Sequence, residues 1–479
     1  MLFNSLQFAV FFPVVVALYF ALPYRQRTAM LLAASCVFYM AFIPAYILIL
    51  FVTIGIDYVA GIYIEKREGR VRQALLVLSI VSTCAVLFVF KYFNFFTSNF
   101  VAVADLCGWH LSKPMINIIL PIGLSFHTFQ SLSYVIEVYR GKQKAEADWV
   151  TYATYVMFFP QLVAGPIERP QNLLHQFGEA HLFDYARITS GLKRMAWGFF
   201  KKVVVADRLA LYVNDVYGSP RSHNGLQLTL GTFFFAYQIY CDFSGYSDIA
   251  IGTARVLGFT LMENFDTPYY SRSVSEFWHR WHISLSTWFR DYLYYPMGGN
   301  RVALGRWCFN IIVTFAVSGL WHGANWTYLV WGLLNGVYLL AERATARSRD
   351  FLFGLLALNQ GTPLRAAISI ASTFVLTCAA WVVFRARNLG DAGYILAHFF
   401  RNWDFGAIKT EHFLLRQLPV AVGSIVLLES IQLLNRGIGL AALIAKAPLL
   451  PRWAFYMAFL FMVIMLGVYK NTFFIYFQF

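Results

Sequence analysis

The feature that most constrains this chain is a series of long segments without Asp, Glu, Lys or Arg. A helix needs about 20 apolar residues to cross roughly 30 Å of hydrocarbon, so such segments predict membrane-spanning helices. The main ones are residues 1–24, 28–56, 73–90, 114–136, 149–167, 222–241, 307–341, 366–384 and 453–469. With the mixed segment 413–434, we expect about 10 to 13 spans, together with interfacial and half-crossing helices.

Two of these segments contain residues that favour a break in the helix. Residues 28–56 include Pro44, which removes a backbone donor and suits a bend between two spans. Residues 307–341 are too long for one straight crossing. Gly319 and Gly323 permit either a helix break or a close approach of two backbones there.

Composition and charge agree with a membrane protein. Hydrophobic residues make up 59% of the chain and charged residues only 13%, about half the fraction typical of soluble domains. The net charge of +14 by itself could indicate nucleic-acid binding. The basic residues instead form short clusters between uncharged segments, so we expect membrane lipid as a partner and no nucleic acid. No linker or repeat separates domains, and we expect a single membrane domain over residues 1–479.

The longest uncharged segment contains a histidine near its middle. His322 lies well inside the membrane if both ends of residues 307–341 are near water. An ionisable residue at that depth is costly and is usually functional. A neutral imidazole accepts a proton, as general-base catalysis requires. Alternatively, His322 holds two helices together by hydrogen bonds, and these residues alone do not decide between the two roles.

A second unusual region, residues 273–292, is rich in tryptophan. Ser273 followed by Glu276 is a capping-box signature, so we expect a helix to begin there. At helical spacing the aromatic side chains share one face, which predicts a single interfacial amphipathic helix.

His282 lies at the edge of that aromatic face, flanked by His279 and Ser286; Trp278 is part of the face itself. An aromatic belt with snorkelling charges explains the tryptophans but does not require this histidine. His279 and His282 are spaced like metal ligands, yet the segment does not complete a metal site, so we expect no metal.

Two carboxylates, Asp242 and Asp248, follow the apolar segment 222–241. Either they line an aqueous cavity or they face the cytoplasm as helix-end charges, and we favour the second interpretation. Basic residues recur nearby and predict a membrane-surface helix attracted by anionic lipid. They are Lys193, Arg194, Lys201, Lys202 and Arg208.

Several motifs resemble those of membrane-bound O-acyltransferases, in the branch that includes alginate O-acetyltransferases. The most specific are EFWHRWHISLS (276–286), RDYLYYP (290–296), GGNR (298–301) and WHG (321–323). The segments QLVAGPIE (161–168) and DFSGYSD (242–248) match the same branch, as do residues 1–5 and 474–479. The matches keep their order from end to end, so the resemblance covers the whole chain.

The resemblance implies an all-α polytopic membrane protein, with a ring of tilted transmembrane helices around a central funnel or tunnel and with interfacial and re-entrant helices. It implies an O-acetyltransferase in the bacterial inner membrane that uses cytoplasmic acetyl-CoA and holds no bound cofactor. The resemblance further implies that the acetyl group passes to a periplasmic SGNH-type acetyltransferase or a related protein of a polysaccharide secretion complex. The expected final acceptor is an exported polysaccharide such as alginate.

The resemblance also assigns roles to residues. His322 matches the essential histidine of the family, and we expect it to be the general base. His282 matches the second histidine, and either it or Asn325 orients the donor or stabilises charge. His279 occupies a position that often carries Arg and receives no role. Tunnel or oxyanion support is assigned more broadly to Asn325, Trp321, Trp278, Ser286, Asp242 and Asp248.

Other functions remain open at this stage. Peptidoglycan, cellulose and other exopolysaccharides are alternative acceptors, and teichoic acid D-alanylation is a more distant one. A non-enzymatic transporter of polymer precursors also has many spans and buried polar residues, although the inverted repeats typical of such proteins are not evident. The sequence contains no Walker A loop and no GxSxG elbow, so nucleotide hydrolysis and Ser-His-Asp hydrolysis are not expected.

Overall fold

A computed structural model describes residues 1–112, 121–163, 165–406 and 412–469. Throughout these ranges the regular structure is helical, without a β-strand. The predicted all-α class is therefore confirmed. The terminal motif 474–479 and residues 114–120 of one predicted span lie outside the described residues.

The helices of the first half of the chain are mostly short. They are α1 Leu6–Ala21, α2 Tyr24–Met40, α3 Tyr46–Lys66, α4 Gly69–Leu87, α5 Phe93–Leu106, α6 Leu124–Tyr139, α7 Trp149–Met157, α8 Phe159–Leu162, α9 Pro170–Leu173, α10 Tyr185–Phe199 and α11 Asp207–Gly218.

The second half opens with the longest helix. Its helices are α12 Gly225–Leu257, α13 Val274–Arg280, α14 Ile283–Phe289, α15 Leu304–His322, α16 Trp326–Ala344, α17 Ala346–Leu355, α18 Pro363–Arg385, α19 Leu389–His398, α20 His412–Ile438, α21 Leu440–Lys446 and α22 Leu449–Leu466. Wider π-helical turns occur at Phe88–Tyr92, Phe200–Ala206 and Arg290–Tyr294.

The chain packs into two compact units. The first contains Met1–Met195, Ile249–Glu263 and Gly323–Asn325, and the second contains Ala196–Asp248, Asn264–His322 and Trp326–Phe479. The expectation of one functional domain over residues 1–479 stays a prediction, as does the central funnel.

Within the described residues, six helices are long and apolar enough to cross a membrane. They are Tyr46–Lys66, Gly69–Leu106, Leu304–His322, Pro363–Arg385, Arg416–Gly437 and Leu449–Leu466. The number is smaller than the 10 to 13 spans we predicted. Counting uncharged residues overlooked backbone breaks: residues 149–163, for example, form two short helices separated at Phe158. The multi-pass membrane class is confirmed.

Both predicted breaks are present. Pro44 lies between the end of α2 at Met40 and the start of α3 at Tyr46. The segment 307–341 divides into α15 and α16, separated by residues 323–325. Because α15 ends at His322, the break places the predicted base at a helix terminus.

The core of the second unit is rich in aromatic side chains. Its buried residues come mainly from the π-helical turn Phe200–Ala206, α11, α18 and the first half of α12, and α16 adds Tyr328 and Trp331. The rings of Trp331 and Trp381 stack with centroids 5.8 Å apart, and Trp281 packs 5.0 Å from Trp381. Large aromatic side chains contribute much of the burial energy of such a core, so this cluster gives the neighbouring histidines rigid surroundings.

Candidate active site

Two glycines bring α15 and α16 into direct backbone contact. A Cβ atom at Gly319 would lie 2.2 Å from the carbonyl oxygen of Tyr328, and a Cβ at Gly332 would lie 2.2 Å from that of Phe315. Small residues allow this close approach between helices in membranes. The contact holds the end of α15, and therefore His322, against the first turns of α16.

His322 lies in a cage of aromatic rings within the second unit. The centroids of Trp321 and Trp331 are each 5.0 Å from the imidazole centroid, and that of Phe384 is 5.4 Å away. Only 4% of the residue is exposed. Such a cage limits access of water and fixes the orientation of the ring, which are both useful properties for a general base.

The second histidine lies at a helix break that the sequence analysis did not predict. Ser273 caps α13 as expected, since its hydroxyl accepts a hydrogen bond from the Glu276 amide at 3.0 Å. The helix nevertheless ends at Arg280, and α14 begins at Ile283. The prediction of one continuous amphipathic helix is wrong. His282 separates the two helices, with a left-handed backbone at φ = 43°.

This left-handed conformation is uncommon for residues other than glycine, and strained positions of this kind concentrate at functional sites. His282 is only 1% exposed. Its ring is 4.4 Å from that of Phe243 and 6.2 Å from that of Trp321. Trp321 also contacts His322, so one tryptophan ring lies beside both histidines.

His282 lies outside the six candidate spans. Burial lowers its pKa well below the ordinary value, and the nearby His322 lowers the pKa further. Removal from water and a second potential cation both disfavour the imidazolium. The neutral form of His282 is therefore the resting state at neutral pH.

Asn264 is the neighbour of His282 that sequence reasoning missed. Its side-chain oxygen lies 3.1 Å from His282 Nδ1 and 2.9 Å from the Ser284 hydroxyl, which donates to it. Asn264 is itself buried. It lies in the loop that follows α12, where neither helical periodicity nor a capping pattern distinguishes it from any polar loop residue.

A cavity of about 700 Å³ adjoins this region within the second unit. Trp278 and Ser286, which we predicted as tunnel residues, both line it, and so does Ser318. Ser318 lies one helical turn before His322 on α15. Ionisable side chains also border the cavity, namely His279, Arg290, Glu342 and Arg343. The role of Trp278 and Ser286 in a substrate tunnel stays a prediction.

The two aspartates that we predicted at a helix end are instead in the interior of α12. Asp242 pairs with Lys202 at 2.6 Å, and Asp248 pairs with Lys201. Lys202 also reaches Asp207 at 2.8 Å. All five side chains are buried. The interpretation as cytoplasmic helix-end charges is therefore wrong, and the pairs are internal ion pairs.

The burial of Lys201 and Lys202 likewise contradicts the prediction of a membrane-surface helix. Lys202 is 1% exposed, so it does not contact lipid head groups. Burial by itself lowers the pKa of Lys202, but Asp242 and Asp207 outweigh burial and hold the pKa above its ordinary value. The lysine therefore stays charged and compensates the two carboxylates.

Asn325 is the last predicted site residue. It is half-buried and lies in the three-residue connection, residues 323–325, that follows His322 in the chain. Its expected part in orienting the donor or stabilising charge stays a prediction.

Comparison with known proteins identifies the family. Residues 145–379 match MBOAT, the membrane-bound O-acyltransferase family. A probable alginate O-acetylase from Pseudomonas aeruginosa is 40% identical over 396 residues, covering 81% of this chain and 73% of that protein. This chain belongs to the membrane-bound O-acyltransferase family. The predicted family and the predicted enzyme class, an acyltransferase, are confirmed.

Further relatives of this O-acyltransferase differ in their named substrates. A peptidoglycan O-acetyltransferase from Helicobacter pylori is 32% identical over 430 residues, covering 83% of this chain and 79% of that protein. A teichoic acid D-alanyltransferase from Bacillus subtilis is 26% identical over 288 residues, covering 57% of this chain and 71% of that protein. The family segment 145–379 includes both His282 and His322.

Proposed function

We propose that this enzyme O-acetylates an exported polysaccharide from the bacterial inner membrane, with alginate as the first candidate acceptor. Relatives named as alginate O-acetylases, at 40% identity, support the polymer and the acetyl group. The apolar helices support a location within a membrane. Acetyl-CoA on the cytoplasmic side is the proposed donor. A periplasmic SGNH-type acetyltransferase within the polysaccharide secretion complex is the proposed partner that completes the transfer.

One observation carries the proposed chemistry: the rings of the buried residues His282 and His322 both contact the ring of Trp321. His322 acts as the general base. The acceptor hydroxyl attacks the thioester carbonyl carbon while its proton moves to His322, and a C–O bond forms. The tetrahedral intermediate then collapses, the C–S bond breaks, and the departing thiolate takes the proton from His322. Proton transfer of this kind contributes roughly a hundred- to ten-thousandfold in rate.

The neighbouring cavity is the proposed site of the acyl donor. Its volume of about 700 Å³ falls within the range usual for small-molecule sites. Trp278 and Ser286 contribute to its wall, and Arg290 and Arg343 border it. The two arginines suit a donor that carries negative charge on a long, flexible thioester chain. The aromatic cage around His322 keeps water from hydrolysing the thioester.

The test uses a deletion strain complemented with wild type, His322→Gln or a matched His110→Gln control. The His110 side chain is 90% exposed, so its replacement removes a histidine without touching the site. Membrane levels of all three proteins are measured by immunoblot. We expect the O-acetyl content of the exported polysaccharide to return with wild type and with the control, and to stay near zero with His322→Gln. Full acetylation with His322→Gln would exclude this histidine as the base and favour a non-enzymatic transporter.

The same strains decide between acceptors. The relative from Helicobacter pylori is named for peptidoglycan, so the O-acetyl content of peptidoglycan is measured beside that of the exopolysaccharide. Acetyl loss confined to peptidoglycan would overturn the polysaccharide assignment while leaving the transferase chemistry intact. Transfer of radiolabel from acetyl-CoA to membranes, in the presence and absence of the periplasmic partner, tests the donor and the partner.

A further inference from the structure

The hydrogen bonds of Asn264 determine which end of its amide is the oxygen. The backbone N–H of Ser284 lies 3.2 Å from the assigned Oδ1 atom. A backbone N–H is only a donor, so the atom that it approaches is an acceptor. The amide orientation is therefore fixed by chemistry and does not depend on the choice between two similar rotamers.

The same oxygen faces His282 Nδ1 at 3.1 Å. Since an amide oxygen has no proton to donate, Nδ1 carries the proton of this hydrogen bond. The hydroxyl of Ser284, 3.5 Å from Nδ1, does not alter this conclusion, because it donates to Asn264 Oδ1 at 2.9 Å. In the neutral imidazole the lone pair is then on Nε2.

We infer that Asn264 is a positioning residue that holds His282 as the Nδ1–H tautomer, so that Nε2 of His282 is a hydrogen-bond acceptor and does not donate to the oxyanion. The inference rests on the proposed function, because it assigns the second histidine a role in the same acyl transfer. It resolves the two roles that the sequence left open for His282.

Asn264 is anchored on both sides, as a positioning residue requires. Its side-chain nitrogen donates to the Ser247 hydroxyl of α12 at 3.2 Å. Its backbone oxygen accepts from the Ile283 amide at 3.0 Å. Asn264, Ser247 and Ser284 are all buried. Three elements therefore fix the position of Asn264 and, through it, the imidazole and left-handed backbone of His282: the loop, α12 and the first turn of α14.

The tautomer decides the chemistry available at Nε2. A lone pair repels a developing oxyanion, whereas oxyanion stabilisation requires a donor aimed at that atom. His322 acts on His282 electrostatically, and two neighbouring imidazoles are not readily charged together. Because His282 stays neutral, the transferred proton is assigned to His322, as in the proposed function.

The first test reads the tautomer without any activity assay. The full-length protein is labelled with ¹⁵N-histidine, reconstituted in lipid bilayers at pH 7.5 and studied by solid-state NMR. The His282 signals are those that disappear in His282→Gln. We expect a protonated Nδ1 and an unprotonated Nε2. A protonated Nε2 in the wild type would overturn the inference, even if the enzyme proves to be an acetyltransferase.

The second test measures acetyl transfer in Asn264→Ala, Asn264→Asp and an exposed control, Asn359→Ala. Loss of a residue that orients a metal-ligating histidine typically costs about tenfold to a hundredfold. Asn264 orients a histidine in the same way, so we expect Asn264→Ala to lower kcat by a similar factor. Asn264→Asp keeps the acceptor oxygen, and the Ser247 hydroxyl can donate to it instead of accepting. Its negative charge favours the imidazolium of His282, so the acidic limb of the pH–rate profile should move to higher pH.

A purely structural role predicts a different pattern. Asn264→Asp would then lower activity equally at all pH values, in proportion to any loss of folded protein, and this result would refute the positioning role. Wild-type protein with the expected tautomer but without acetyl transfer would refute the proposed function alone. The two failures are thus distinguishable.

Discussion

Replacing Gly319 by alanine tests whether the contact between α15 and α16 positions the base. The new Cβ would lie 2.2 Å from the carbonyl oxygen of Tyr328. Ordinary van der Waals contact begins near 3.4 Å, so the two helices must separate locally by about 1.2 Å. Overpacking of this kind costs about 1–3 kcal/mol in the free energy of unfolding. A displacement of about 1 Å at catalytic groups reduces the rate by roughly a hundredfold.

The matched control is Gly305→Ala at the start of the same helix. A Cβ at Gly305 meets no atom within 4 Å, and alanine favours the helix over glycine by up to about 1 kcal/mol. Thermal unfolding of the purified proteins in detergent gives the stability, and polysaccharide O-acetyl content in complemented strains gives the activity. We expect Gly319→Ala to melt at lower temperature and to lose most acetylation, whereas Gly305→Ala retains both. Equal stability and activity of the two variants would show that the close contact does not position His322.

Three further predictions follow from buried polar groups and from the cavity. Lys202→Met leaves two buried carboxylates without their cation, which costs about 3–5 kcal/mol in the free energy of unfolding. We therefore expect little folded protein on size-exclusion chromatography. Lys193 is exposed, so the control variant Lys193→Met should behave as wild type. Burial raises the pKa of Glu168 to about 7, so between about pH 4.5 and 7 the folded state keeps a proton that the unfolded state has released. The free energy of unfolding should therefore fall as pH rises through this range. Glu168→Gln should remove this pH dependence from the melting temperature, and an unchanged dependence would contradict the raised pKa of Glu168. Ser286→Phe partly fills the cavity and should raise KM for acetyl-CoA at least severalfold, while unchanged kinetics would exclude the cavity as the donor site.

Local and compositional features were predictable from the sequence. The absence of charge over long segments predicts membrane helices, because a charged side chain in hydrocarbon is costly wherever it occurs. Pro44 acts on its own backbone, and the cap at Ser273 joins residues one turn apart. Such signals depend on neighbours in the chain. Within the described residues the candidate spans are fewer than predicted, because uncharged segments also form short, broken helices such as α7 and α8.

The residues of the site were only partly predictable. His322 and His282 were identified by family resemblance, and their charge cost in an apolar environment made them conspicuous. The contact of His282 with Trp321 was not visible in the sequence, because these two rings come from separate elements. The interpretation of Asp242 and Asp248 failed for a related reason. A carboxylate after an apolar segment looks like a helix end unless its lysine partner, tens of residues away, is known.

The sequence alone therefore determined that this protein is a helical membrane protein of the acyltransferase family with a histidine at a helix break. Tertiary structure alone decided which polar groups meet. Lys202 and Asp242 become a buried ion pair, and Asn264 reaches His282 across 18 positions of chain. The physical reason is that hydrophobic patterns and helix caps depend on residues within one or two turns along the chain. Hydrogen bonds and ion pairs instead need two atoms within about 3 Å in space, and only the packing of distant segments brings such atoms together.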